Sequence, residues 1–454
     1  MNKRLSYQEA PVIKTELPGP VSKAMLEKQS QLETSTRIYT EYFPVAISDA
    51  RGSTIKDMDG NILIDWFAGI CVLNLGHAHP AVLKAIREQI EKIVHINELP
   101  TEARIEFLET LVSTLPGELQ NNARVMFTVT GADACEAAIS LARFVTKKKT
   151  IIAFGGAYHG VHGAIVGATG NIHYREYAGV PPYEIYHLPY PYTYRFPIKV
   201  KEEDVAKVVV DSLEYTLKDP YSGVGPVAGV LVEPIQGEGG YIVPPDDFLP
   251  MLREVTEKYS VPLIVDEIQT GVGRTGRIWA SENYSITPDI MCVSKSIGGG
   301  IPVSMIAYRK EYDQNLPKAF HLGTYRANPV ALAAGRAVLE ELKNSDLLEH
   351  VRANGETLKK RFEEIAMAIP EIGEVRGKGY MIGVELVKDQ NKTPAPELAS
   401  ALRSEMFQRG VLMHTCGHYS NVMRFMAPLT IEQDLLDNGL RIFEQSLRRV
   451  TRKL

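Results

Sequence analysis

Five short apolar runs in this chain end in polar residues whose types could act together. The polar ends are Thr130-Gly131-Ala132-Asp133, Tyr158-His159-Gly160, Glu233, Asp266-Glu267 and Lys295. "TGADACEAA" leads a glycine turn straight into a helix, whose unpaired N–H groups and positive dipole end suit a phosphate. "FGGAYHG" offers the ring of Tyr158 to a flat ligand. "PLIVDEIQTGVGRTG" closes a buried run with two acids, and a buried carboxylate needs a cationic or hydrogen-bonding partner. A protonated pyridine nitrogen would serve, and so would Arg274. In "VSKSIGGGIPVS", Lys295 sits inside an apolar run. A desolvated lysine has a lowered pKa and can form a Schiff base with an aldehyde. The glycines that follow allow tight turns and close backbone approach.

Each feature alone has an ordinary structural explanation: a glycine turn, a core tyrosine, an ion pair, a lysine reaching for water. Together they are a phosphate cradle, a stacking ring, a carboxylate for a ring nitrogen and a Schiff-base lysine. Those are the requirements of pyridoxal 5′-phosphate, PLP.

Such residues need elements that bring them to one edge. In open α/β sheets, ligands bind beyond the carboxyl ends of the strands. The runs "RVMFTVTG", "TIIAFGG", "VAGVLVEP", "PLIVDE" and "IMCVSK" are short, rich in β-branched residues and not alternating, as buried parallel strands are. Segments with helical spacing separate them, such as "DACEAAISLARFVTK" and "DDFLPMLREVTEKYS". That alternation predicts an α/β sheet with helices on both faces. Upstream, a polar arm leads into a helix at "VSKAMLEKQSQLE", and "ISDARGSTIKDMDGNILIDW" predicts a β-meander. "HPAVLKAIREQIEKIVH" has helical spacing, and "PVALAAGRAVLEELKNS" predicts a long helix leaving the sheet. The tail mixes helices with short strands at "YMIGVEL" and "VMRFMAPLTI", an α+β pattern. The expected organisation is 1–68 as arm and part of a small domain, 69–330 as a large PLP-binding domain, and 331–454 as the rest of the small domain.

Composition narrows the function. Hydrophobic residues make up 44% and charged residues 23% of the 454 residues, ordinary for a soluble globular protein. Net charge is −5, with no basic stripe, so no nucleic-acid partner is expected. The N-terminus has no secretory apolar stretch, and no run is long enough to span a membrane. Cys71, Cys135, Cys292 and Cys416 lie far apart without a CxxC pair, so neither a metal site nor a disulfide framework is expected. They read as packing thiols in a reducing, cytoplasmic setting.

The motifs resemble a known family, the class III or ω-aminotransferases of PLP fold type I. The likeness runs from "DMDGNILIDWFAGICVLNLGHAHPAV" through "TGADACEAA", "FGGAYHG", "IVDEIQTGVGRTG", "SKSIGGGIP" and "GTYRANPVALAAG" to "CGHYSNVMRFMAPLTI". "LVEPIQGEGG" with "NVMRFMAPLTI" is most similar to the 4-aminobutyrate aminotransferase branch. The resemblance implies a large domain with a mostly parallel seven-stranded sheet flanked by helices, and a smaller α+β domain from both termini. It implies that Lys295 holds PLP as a Schiff base and shuttles a proton. Asp266 pairs with the ring nitrogen, Gln269 with the phenolic oxygen, and Tyr158 stacks on the ring beside His159. Gly131 and Ala132 bind the phosphate through backbone N–H groups. Thr324 reaches the phosphate of a neighbouring subunit, which implies a homodimer with shared sites, or a higher oligomer built on it. Arg424 binds the α-carboxylate of an amino acid or 2-oxo acid, and Glu238 pairs with it when an ω-amine enters. Phe67 and Ile70 line the substrate slot.

Two positions depart from the family pattern. Ala132 lacks a hydroxyl for the phosphate. Val161 stands where related branches place an arginine for the distal carboxylate, and Arg175 is a cation nearby in sequence that could substitute. An apolar Val161 cannot compensate a buried carboxylate, so the expected substrates shift toward apolar amino acids and amines. The expected reaction is ping-pong transfer of an amino group to a 2-oxo acid. The alternatives are an amino-acid racemase or 2-epimerase of the same family, which needs only one carboxylate anchor, and a non-catalytic PLP-binding scaffold, which the intact Lys295 and Asp266 disfavour.

Overall fold

The structure is a computed structural model in which residues 4–176 and 184–452 are described. The chain divides into two compact units, one formed by residues up to Pro80 with those from Ala353 onward, the other by Ala81–Arg352.

The first unit begins with the expected meander: β1 (Ile47–Arg51), β2 (Thr54–Asp57) and β3 (Ile62–Asp65) pair antiparallel in sequence. The predicted helix before it spans Pro20–Leu32, with proline in its first turn.

The second unit is built on a seven-stranded sheet. Its strands are β4 (Ala123–Thr128), β5 (Thr150–Phe154), β6 (Ile185–Leu188), β7 (Val227–Val232), β8 (Leu263–Asp266), β9 (Ile290–Val293) and β10 (Ser304–Arg309). Their order is β4-β10-β9-β8-β7-β5-β6, and β10 alone runs antiparallel to its neighbours. The five expected strands are all present. β6 and β10 were not legible as strands, and the reasons differ. β6 is an edge strand, "IYHL", half exposed and too polar to show a buried run. β10, "SMIAYR", follows directly on the glycine turn and looks like its continuation.

Alternation along the central strands feeds two cores. Ile151 and Ala153 of β5 pack with Leu231 and Ile264 beneath the helix Gly131–Thr146. Ile152 and Phe154 pack with Val230 and Val232 against the helices Val205–Lys218 and Phe248–Lys258. Both faces are therefore covered, which explains why β5, β7, β8 and β9 are apolar throughout. The helix predicted at "HPAVLKAIREQIEKIVH" stops at Ile90, and the long helix predicted near residue 330 spans Pro329–Asn344, capped by Asn328.

The first unit resumes with β11 (Ile372–Lys378), β12 (Met381–Leu386), β13 (Val411–Leu412), β14 (His414–Cys416) and β15 (Val422–Phe425). β13 joins β3 in parallel, and the others form a second sheet in the order β11-β12-β15-β14. The helices Pro396–Gln408 and Gln433–Thr451 complete this α+β unit. Among the described residues, no helix is long and apolar enough to cross a membrane.

Candidate active site

The carboxyl ends of the parallel strands in the second unit converge on one cavity of about 230 Å³. Gly131, Ala132, Tyr158, His159, Val161, Glu238, Asp266, Gln269 and Lys295 all line it. Sequence reasoning had placed these residues together only through the strand-end rule and the resemblance. The cavity also takes in Ser294, Ile268 and His162, which the sequence did not single out. Ser294 adjoins Lys295 and Ile268 adjoins Gln269, and that adjacency is the available signal.

The helix Gly131–Thr146 opens at the cavity with Thr130 as its cap, Thr130 Oγ1 accepting the Asp133 N–H at 3.2 Å. Asp133 accepts the Val129 N–H at 2.9 Å and contacts His321 Nε2 at 2.7 Å. These contacts fix the turn at the helix start, where Gly131 and Ala132 carry the first helical N–H groups and line the cavity. Gly160 lies against this turn with φ +124°, and a Cβ there would come within 2.4 Å of Ala132 Cβ. Only glycine fits that conformation and that gap.

Asp266, at the end of β8, is 3% exposed. Its Oδ1 accepts the Ile268 N–H at 2.9 Å, and its Oδ2 contacts His159 Nδ1 at 2.7 Å. The adjacent Glu267 faces away from this chemistry. It accepts the N–H groups of Ala280 and Ser281 and the Thr270 hydroxyl, and so holds the following loop. Glu233, at the end of β7, accepts the N–H groups of Tyr158 at 3.0 Å and Gly237 at 2.9 Å. Burial pushes its carboxyl up to about 7; Asp266 adds to the rise, while His159 and the two N–H groups oppose it.

Lys295 follows β9 by two residues and adopts the left-handed φ of +50°, uncommon for a side-chain-bearing residue and typical of functional sites. It is half-buried. The glycines after it serve the fold: a Cβ on Gly299 (φ +58°) would meet Val82 at 2.8 Å and Val338 at 3.3 Å. Gln269 is 7% exposed and its Oε1 is buried without a hydrogen-bond partner. The two ends of an amide can exchange, so this side chain is poised for a ligand group that satisfies it. Tyr158 stands edge-on to Tyr174 with ring centres 5.4 Å apart. Val161 presents a half-buried apolar wall. Arg175 is not among the residues lining the cavity; its charge adds to the effect of burial that lowers the pKa of His187.

The remaining expected residues lie outside this cavity. Thr324 is exposed in the loop before the helix Pro329–Asn344. Phe67, Ile70 and Arg424 belong to the first unit. Arg424, 1% exposed on β15, is the cross-strand partner of His414 on β14. Phe67 packs edge-on against Tyr39, Phe43 and His414 at 5.5 to 5.7 Å. Ile70 lies in a left-handed turn at φ +60°.

The cavity fits PLP: a capped helix start for phosphate, a buried carboxylate for a ring nitrogen, an unsatisfied amide and a lysine. Comparison with known proteins agrees. The family model "Aminotransferase class-III" matches residues 36–447. The chain is 36% identical to a diaminobutyrate–2-oxoglutarate aminotransferase of Rhizobium meliloti, covering 94% of this chain and 93% of that one. It is also 36% identical to an alanine/serine racemase of Pyrococcus horikoshii, covering 97% and 93%. An (S)-enantioselective ω-transaminase from Thermomicrobium roseum superposes with a TM-score of 0.86 at 31% identity, over 94% of this chain and 98% of that chain. The chain belongs to the class-III aminotransferases, which depend on PLP.

Proposed function

We propose that this aminotransferase moves the amino group of an ω-amino acid such as 4-aminobutyrate, or of an apolar amino acid or amine, to a 2-oxo acid by a ping-pong mechanism. The family match and the aminotransferase relatives support the ω-amino acid reading, and Val161 supports the apolar one, because it gives the cavity an apolar wall where a distal carboxylate would need a cation. When bound, PLP would supply an electron sink for the charge left at the substrate carbon that bears the amine. Gly131 and Ala132 would hold its phosphate, Tyr158 its ring face, Gln269 its phenolic oxygen and Asp266 its ring nitrogen. The Lys295 amine, held on a fixed turn, is the base that takes the proton from the substrate carbon bearing the amine. Arg424 grips the α-carboxylate with a bidentate fork; Glu238, Phe67 and Ile70 keep the substrate roles that the resemblance implies. The test is a panel of amino donors with pyruvate or 2-oxoglutarate. The pyridoxamine form should accumulate under donor alone, and its absence with every donor would sink the reading.

A homodimer in the cytoplasm is part of the same proposal. Around the exposed Thr324, Leu322 and Tyr325 are 68% and 73% exposed, and Leu99 is 62% exposed. Asn328 Nδ2 donates to the Val94 carbonyl at 2.9 Å, and Arg326 pairs with Glu98, which draws the two segments into one apolar patch. A second copy would cover it and bring Thr324 to its site.

Racemisation or 2-epimerisation is a second reading, favoured by Val161 and by the racemase relative. Incubation of an L-amino acid without any oxo acid, read by chiral chromatography, separates the two. Retained chirality excludes the second.

A further inference from the structure

We propose that Cys135 is a positioning residue: its thiol is a third hydrogen-bond donor to Asp266 and holds that carboxylate in place for the cofactor ring. The proposal rests on the assignment of Asp266 to the ring nitrogen.

Cys135 lies on the helix Gly131–Thr146 and is fully buried. Its Sγ is 3.4 Å from Asp266 Oδ2, the same oxygen that meets His159 Nδ1 at 2.7 Å. The three ligating atoms lie within 4.8 Å of one another. An ionised carboxylate only accepts, so the hydrogens must come from the thiol and the imidazole. Burial pushes the Cys135 thiol well above its ordinary pKa, with Cys292 and Asp266 adding to the rise, so it stays protonated and able to donate.

Cys292 is the thiol's other hydrogen-bonding neighbour. Cys292 is the register partner of Asp266 on β9, and its own Sγ contacts the Ala134 carbonyl at 3.8 Å. The helix that starts the phosphate cradle thus also delivers the thiol, a little more than one turn later. Cradle and carboxylate are tied to one rigid element. Without the thiol, Asp266 Oδ2 would keep a single protein donor, the His159 imidazole. Sulfur is a weak donor in water, but a buried charge has no competing solvent.

The decisive comparison is Cys135→Ser against Cys135→Ala and Cys135→Val. Serine keeps a donor, alanine has the size of serine without one, and valine fills the space without one. PLP affinity is measured by titrating cofactor-free enzyme, with kcat and KM measured on the loaded enzyme and Asp266→Asn as control. Alanine and valine should both weaken PLP binding by about fivefold to tenfold, the scale of one ordinary hydrogen bond, as befits a weak sulfur donor, and lower kcat with KM unchanged. Serine should stay within about twofold of the native enzyme. Equal affinities for serine and alanine would overturn the proposal. Native affinity and activity in Asp266→Asn would instead overturn the assignment of Asp266.

Discussion

Gly160→Ala should damage the cofactor site by pushing on Ala132. The new Cβ would lie 2.4 Å from Ala132 Cβ and 2.9 Å from Ala132 Cα. Real side chains do not approach so closely, and one of the two contacts is backbone, so the first turn of the helix Gly131–Thr146 must move. Alanine at φ +124° adds strain of about 1–3 kcal/mol. Overpacking adds a further ~1–3 kcal/mol. The expected loss is therefore about 2–6 kcal/mol of native stability. Denaturant unfolding of cofactor-free enzyme would measure it, alongside PLP affinity. Ala132→Gly in the same chain removes the closest contact and should return about 1–3 kcal/mol, while the backbone strain stays. The two sites should thus couple in a double-mutant cycle. Additive effects, or an unchanged midpoint in Gly160→Ala, would refute the steric argument.

Two further outcomes follow from the cavity and a third from the proposed role of Arg424. Burial raises Glu233 to about 7 from the ordinary 4.5, so its contribution to stability is fully present below about 4.5 and lost as pH rises through about 7. Thermal scans from pH 4 to 8 should show that decline in the native protein and a flatter profile in Glu233→Gln. Val161→Arg should raise kcat/KM for dicarboxylic 2-oxo acids about tenfold or more, the scale of a charge-assisted pair, with smaller effects on monocarboxylic acceptors; a uniform change across both would refute the wall assignment. Arg424→Gln should cost α-amino acids about a hundredfold in kcat/KM, while amines without a carboxylate keep their rate in the step from donor to pyridoxamine form.

The cavity was largely legible because its chemistry is carried by short strand ends: Tyr158, Asp266 and Lys295 each close an apolar run, and open sheets bring such ends to one edge. The phosphate cradle was visible as a glycine turn before a periodic helix. What escaped was long-range or ambiguous in type. Cys135 reads as a packing thiol, and nothing local shows that the helix turns it onto Asp266. Glu233 reads as one more strand-end acid, since its raised pKa comes from burial that sequence does not display. The glycines after Lys295 promised close approach but not its object, which is Val82 and Val338. β14 is short, and its His414 is opposed to Arg424 only by pairing with β15. Arg175 is near Val161 in sequence yet does not line the cavity.

The antiparallel course of β10 has a consequence for how the enzyme folds. Strands of a parallel sheet must wait for a crossover before they pair. Here the chain leaves Lys295, turns through the glycines and returns at once, so that Met305 pairs with Val293 about a dozen residues away. Ser304 Oγ donates to the Val293 carbonyl at 3.0 Å and closes the hairpin. Such a loop closes at small entropic cost and needs few distant contacts. The reactive lysine therefore sits in one of the most local pairings of the sheet. Pulse-labelled hydrogen exchange should find β9 and β10 protected early in refolding, before β5 and β7, whose register partners lie far apart in sequence.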